Sequence, residues 1–231
     1  MNKKILVFTT LFFCCCFGKT LFAQESGDEL LKRLQQEVTL EQQNFLQGDL
    51  LDKEYVKQIL AEMYTLDQKV REEVIEEFGP DLISHPEAWQ LMSSMDDFHT
   101  VKMKEILKQY GWITISQFGE VADDQAWLLV QHSGDLFFQE GCLFVLGNLV
   151  NQGETSKKNY AYLYDRVAIQ SPVLGKQRYG TQFNLINNEF VLFPYEGTME
   201  ELNQRRAEMS LNNEEEYLEE AKKAYHVEEN H

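Results

Sequence analysis

Cysteine is scarce where an exported fold would use it. Three of the four cysteines, Cys14, Cys15 and Cys16, share one apolar run near the N-terminus, and Cys142 is the only other. Once that run is set aside, no intramolecular disulfide can form and the fold must rest on its core. Cys142 lies in the apolar stretch Gly141 to Val150, where a buried inert thiol is favoured over a nucleophile. Basic residues are also few, 21 Lys and Arg against 38 Asp and Glu. A surface of that sign repels nucleic acid and anionic lipid, so neither is expected as a partner. Diagnostic motifs are missing too: there is no HExxH, CxxC or EF-hand loop, no GxSxG elbow and no dinucleotide fingerprint. No cofactor is expected, and a metal site would have to be assembled from His99, His132 and distant carboxylates. No internal repeat or low-complexity linker is evident.

What is present begins with Met1-Asn2-Lys3-Lys4, an apolar run from Ile5 to Phe17, and Leu21-Phe22-Ala23 before Gln24-Glu25. That basic, apolar, small-residue order is the pattern of a secretory signal, with cleavage expected near Ala23. A run of about 13 apolar residues is too short for the ~20 that span a bilayer. A lipoprotein signal wants small residues before its cysteine, whereas Phe12-Phe13 stand there. The remaining 208 residues carry a formal charge of −20 and suffice for one helical domain over residues 24–225, followed by a frayed tail over 226–231. The protein is expected to be periplasmic or secreted.

Apolar spacing predicts a mainly α-helical bundle. Leu31, Leu34, Val38 and Phe45 mark a first helix, with Asp28 as N-cap and Gly48 as stop. From Asp52 to Phe78 one stripe carries Val56, Ile59, Leu60, Met63, Val70 and Val74, and Gly79-Pro80 ends it. Pro86 opens a third helix bearing Trp89, Met92, Met95, Met103, Ile106 and Tyr110 on one face, closed by Gly111. Three such helices with short turns pack as an antiparallel bundle. Trp112 to Glu120 reads as a connection. Ala126-Trp127-Leu128-Leu129-Val130 is apolar on every side and therefore a buried helix. Further helices are predicted over 135–150 and 159–169. One small hairpin is predicted over 183–195, turning at Asn187-Asn188. The tail from Thr198 to Tyr225, dense in charge, reads as one or two solvated helices.

Polar residues at apolar phase are the informative exceptions. At 100° per residue from Met63, Asp67 falls at about 40° and Arg71 at about 80°. Either the two form a rim ion pair or Asp67 is a buried acid in a pocket. Taking His99 as zero, Met92, Met103, Ile106 and Tyr110 lie within roughly 40° and Asp96 at about 60°. His99 should thus face the core, as a satisfied structural histidine or as part of a site. Gln131-His132 closes the buried helix, and His132, with Asp135 three residues on, is either an oriented base or a cation at a helix C-terminus. Asp165-Arg166 forms another opposite-charge pair among Tyr160, Tyr162 and Tyr164. Tyr179-Gly180-Thr181-Gln182 offers backbone donors at a flexible glycine.

The strings Ala126-Trp127-Leu128-Leu129-Val130-Gln131-His132, Tyr160-Ala161-Tyr162-Leu163 with Asp165-Arg166-Val167, and Tyr179-Gly180-Thr181-Gln182, with Gly111-Trp112, together resemble an uncharacterised bacterial domain-of-unknown-function family. The resemblance covers about residues 60–210 and extends to Asp67-Gln68, Arg71, Asp96 and Arg205-Arg206. Family members commonly carry Asn at the place of His99 and Pro at that of Ile113, which weakens a mechanism needing His99 as base or ligand. The resemblance implies a shared polar site without supplying its chemistry.

Together these features point to a buried cluster of Asp67, Arg71, Asp96, His99, Gln131, His132, Asp165, Arg166, Tyr179, Thr181 and Gln182. One reading is an acid–base enzyme, hydrolase-like or otherwise, on a small polar or peptide-like substrate. His132 would be its general base, Asp165 or Asp67 the group that orients it, and Arg166 the holder of an anionic group. Another is a ligand-binding module whose charges only recognise a ligand or hold the fold. A third is an interaction protein using its acidic C-terminal helices.

Overall fold

The computed structural model describes residues 25–44, 49–79, 82–186 and 189–224. The candidate signal, Phe45, Gly48, Pro80, the Asn187-Asn188 turn and the frayed end lie outside them.

Helix α1 spans Gly27–Asn44. Its cap is Ser26, not Asp28: the Glu29 amide donates to Ser26 Oγ, and the Glu29 carboxylate accepts from the Ser26 amide at 3.1 Å. Asp28 sits two residues too late and joins the first turn. Helix α2, Lys53–Phe78, opens on Asp52, whose side chain accepts from the Glu54 amide, and stops at Gly79. There φ is 76°, a conformation glycine adopts without a Cβ clash. Helix α3, Pro86–Tyr110, starts with proline in its first turn and stops at Gly111. Trp89, expected on its buried face, is exposed, because Ala88, Leu91 and Met92 already cover that end of the core.

The stretch read as a connection contains the short helix α4, Ile115–Phe118, and buries Trp112, Ile113 and Phe118. Helix α5, Glu120–His132, follows, with every side chain from Ala126 to His132 buried. It lies centrally, against α2, α3 and helix α7, Lys157–Gln170. That placement explains the apolar run without a polar face. Between α5 and α7 comes α6, Leu136–Leu149, capped by Asp135. Strands β1, Phe183–Ile186, and β2, Glu189–Leu192, pair antiparallel with Phe183 opposite Leu192. The chain ends in α8, Met199–Glu208, and α9, Glu214–Ala224. These two are not simply solvated: Leu202, Arg206, Tyr217 and Ala221 are buried, so each helix keeps a narrow apolar edge among its charges.

The fold is therefore mainly α with one small hairpin. One core joins α1, α2 and the first half of α3 through Leu34, Val38, Val70, Val74 and Met95. A larger one gathers α2, α3, α5, α7, the hairpin and α9 around Trp127, Leu163 and Phe183. No helix among the described residues is long and apolar enough to cross a membrane.

Asp123, which the sequence did not single out, joins three segments. Its buried carboxylate accepts from Trp112 Nε1 at 2.7 Å, Thr155 Oγ1 at 2.8 Å and the Ser156 amide at 3.0 Å. Burial raises its pKa against those donors. Replacing it strands several donors away from water, so Asp123→Ala should lose about 3 kcal/mol in urea unfolding. A loss below about 1 kcal/mol would mean that water reaches the donors instead.

Candidate functional site

Asp67 stands where α2 faces α3 and α5, completely buried. A carboxylate there needs donors, and three side chains supply them. His132 Nδ1 lies 2.9 Å from both oxygens, Gln68 Nε2 donates to Oδ2 at 2.9 Å, and Arg71 Nε approaches at 3.2 Å. Arg71 sits one turn along α2, and its Nη2 donates to Asp96 on α3 in a short contact. The result is a continuous chain of bonds from His132 through Asp67 and Arg71 to Asp96.

A carboxylate only accepts, so the His132 nitrogen facing Asp67 must carry the proton. The other nitrogen, Nε2, then presents a lone pair. It is closed off from solvent and has no hydrogen-bond partner among the described residues.

Burial lowers the His132 pKa, and Arg71 adds to the effect, outweighing the attraction of Asp67. The ring is therefore neutral at physiological pH. Burial works to raise the Asp67 pKa, but Arg71 and His132 overcome it and hold the group ionised. Asp96 goes the other way, raised by burial and by the charge of Asp67 despite Arg71. Arg166, on α7, feels both Arg71 and Asp96, and burial with Arg71 pulls its pKa down to about 10. Two carboxylates with divergent pKa values beside a neutral histidine form an arrangement suited to proton transfer.

The end of α5 that carries His132 is held rigidly. Gln139 on α6 donates its side-chain amide to the carbonyls of Val130, Gln131 and Ser133, at 3.1, 3.1 and 3.0 Å. Gln170 on α7 in turn donates to Gln139 Oε1. Thr100 on α3 donates to Ser133 Oγ at 2.8 Å. The terminal carbonyls of α5 thus have fixed partners, and α3, α6 and α7 together set where the imidazole points.

Asp67, Asp96 and His132 each offer a ligand atom, all within 4.8 Å of one another, and are the residues here that could hold a metal ion. The Arg71 guanidinium already bonds both carboxylates, however, and burial is outweighed by them in keeping it charged. A divalent ion would have to displace it against charge repulsion, so the donor set fits an arginine better than a metal.

Other expected members lie elsewhere. Asp165, a candidate for orienting His132, points into the loop before β1, where it accepts from the amides of Arg178, Tyr179 and Thr181 and from Thr181 Oγ1. Burial raises its pKa to about 6 against these donors. The loop donors of Tyr179 and Thr181, expected to approach a ligand, are thus spent on Asp165. Gln182 bonds Thr181 and Gln177, within the same loop. Asp135 pairs with Lys104 and caps α6, turned from His132. His99 faces the core, 1% exposed, with Nε2 2.9 Å from Glu41 on α1. Gln131 is buried beside His132, and its Oε1 has no hydrogen-bond partner among the described residues. Cys142 is buried with its thiol pushed up to about 12 by desolvation, as suits an inert residue.

Sequence reasoning missed Glu41 and Gln139. Glu41 carried the same signal that exposed Asp67, a charge at apolar phase, seven residues after Leu34. Gln139 carried none, because an amide among aromatics gives no hint that it reaches back to the preceding helix.

Two measurements check this geometry. Nitrogen-15 NMR should find neutral His132 protonated at Nδ1 and titrating below the ordinary ~6.5. Because its pKa in the fold lies below that of the unfolded chain, stability present above ~6.5 is lost as the pH falls through both values. His132→Gln should remove that part of the acid limb, and an Nε2-protonated ring would contradict the Asp67 contact. Asp165→Asn should cost about 2–4 kcal/mol in unfolding while leaving the His132 tautomer unchanged. A switched tautomer would tie Asp165 to the site after all.

No curated protein and no solved structure matches the chain. A family model does, over a span that takes in Asp67, Arg71, Asp96, His132 and Arg166 and leaves α1 outside. By that match over residues 54–229, the chain belongs to DUF6624, a family of unknown function.

Proposed function

We propose that the protein is an exported acid–base enzyme acting on a small polar or peptide-like substrate, with His132 Nε2 as the proton acceptor. The observation that carries this reading is the buried Nε2, left without a partner while Nδ1 is fixed on Asp67. A purely structural histidine has little reason to leave a desolvated nitrogen unmatched.

The chemistry follows from the surroundings. Proton uptake at Nε2 creates an imidazolium whose charge Asp67 stabilises as it forms. Asp67 also fixes the tautomer, so the basic lone pair always faces the same way. Arg166 brings positive charge to the same cluster, suited to an anionic group or a developing negative charge on the substrate. Export rests on the basic, apolar, small-residue order of residues 1–23. The free Cys142 is compatible with an oxidising compartment because it is buried.

A second reading, a binding module without turnover, draws on the way Asp67, Arg71 and Asp96 satisfy one another. Both readings are tested by screening the mature protein against ester, amide and peptide substrates and, by thermal shift, against small polar ligands. The enzyme reading expects turnover that His132→Gln lowers by about 10²–10⁴-fold while the variant keeps its helical spectrum. Turnover that survives the substitution would remove His132 from the chemistry. Ligand stabilisation without any turnover would favour the binding module.

A further inference from the structure

We infer that the outer face of α6 is a two-fold dimer interface, on which Phe137 and Phe144 meet a second copy of this chain across Gly141. Nothing in it depends on the acid–base reading above.

Helix α6 is far more apolar than its burial requires. Of its 14 residues only Gln139, Cys142 and Leu146 are buried, and Glu140 is the one charge. At 100° per residue, Phe137, Gly141 and Phe144 fall within about 60° of one another, opposite that buried stripe. Both rings stand in solvent, Phe137 at 85% exposure and Phe144 at 77%. Single exposed apolar side chains are ordinary on a protein surface, whereas two phenylalanines on one helix face form a patch.

Gly141, between the rings, has no explanation within one copy. A glycine inside a helix is destabilising relative to alanine. A Cβ built there would meet nothing within 4 Å, and the backbone is helical, so neither packing nor chain geometry in the protomer asks for glycine. Close approach of another backbone from outside does.

The face is its own complement. Phe137 and Phe144 stand equally far from the midpoint between Glu140 and Gly141. A two-fold axis at that midpoint, perpendicular to an antiparallel pair of α6 helices, sets each Phe137 beside the partner's Phe144 and brings the two Gly141 backbones together. The area suits such a pair. The two rings expose about 300 Å² per copy, bordered by the half-buried Phe138 and Val145. A standard interface takes about 800 Å² per partner, of which roughly 500 Å² is apolar, so the rings supply more than half of that apolar part.

Charge also selects the occupant. With a formal charge of −17, two copies repel wherever acidic surfaces meet, and the α6 face is where they approach with least repulsion. A lipid surface fits less well, because helices that lie on membranes carry Lys and Arg beside their apolar face. Residues 131–156 contain neither. Lys104 lies over the Phe138 ring, but Asp135 already holds its ammonium at 2.6 Å.

The test is sedimentation velocity of the purified protein over a micromolar concentration series, in which the mass should rise from one chain to two. Phe144→Glu should weaken the dimer about tenfold or more without changing the helical spectrum. Gly141→Leu is the sharper variant. It enlarges the apolar face and has room within one copy, so mere stickiness would increase association, whereas close helix contact requires a loss of about tenfold or more. Phe137→Glu replaces it should the leucine variant lose its fold, and it too should weaken the dimer. The two-fold axis also brings both Glu140 carboxylates to one side of the pair, so Glu140→Gln and added salt should tighten it. Flotation with phosphatidylcholine–phosphatidylglycerol vesicles is run beside these. A monomer at every concentration, with or without vesicle binding, would overturn the inference. So would a dimer indifferent to Phe144→Glu or strengthened by Gly141→Leu.

Discussion

A carboxylate with no exposed surface lies at the meeting of three helices, and much of the interior is arranged to keep it there. Asp67 cannot be buried as an ion without donors, because the cost of stripping its water exceeds what the helix packing returns. Arg71, Gln68 and His132 supply them, and each brings a constraint of its own. Arg71 must in turn be neutralised, which draws Asp96 and thereby α3 into place. His132 must be held at the end of α5, which draws in Gln139 and Gln170 from α6 and α7. One desolvated charge thus specifies contacts among five helices, a kind of specificity that apolar side chains, being non-directional, do not provide.

A second use of buried charge recurs where the chain leaves helical geometry. Asp165 gathers the amides of residues 178, 179 and 181, and Arg206 binds the carbonyls of Tyr179 and Gly180 while lying over the Tyr217 ring. Asp123 does the same for the segments flanking α5 and α7. Irregular backbone packed against a core has polar groups that neither a ladder nor water can satisfy. In this fold single charged side chains take that role. Asp165 and Arg206 hold the loop before β1 against α7 and α8, and neither they nor Asp123 bond to the Asp67–His132 pair.

That division explains what the sequence could disclose. The ends of α2 and α3 were legible because glycine and proline act locally, and the burial of α5 because a run without a polar face has only one place to go. Asp67, Arg71 and His99 were legible as charges at apolar phase. Such a phase argument says that a side chain points inward, not toward what. Asp165 and Arg166 are neighbours in sequence but diverge by about 100° around α7, so one serves the loop and the other feels the Asp67 cluster. The pairing of His132 with Asp67 joins residues 65 apart in the chain, and nothing local could reveal it. Charge density in the tail hid the buried edges of α8 and α9 for the converse reason, since one apolar residue per turn suffices to dock a short helix.

The position of α1 relative to the family match gives the arrangement a modular character. The matched region begins at residue 54, within α2, and holds both members of the His132–Asp67 pair, whereas Glu41 belongs to the helix that precedes it. The Glu41–His99 contact and the His132–Asp67 pair consequently belong to separate stretches of the chain that meet in one interior. Mutation in α1 can change what faces His99 while the His132–Asp67 pair keeps its own partners. In such a layout the surroundings of one buried histidine can vary independently of those of the other.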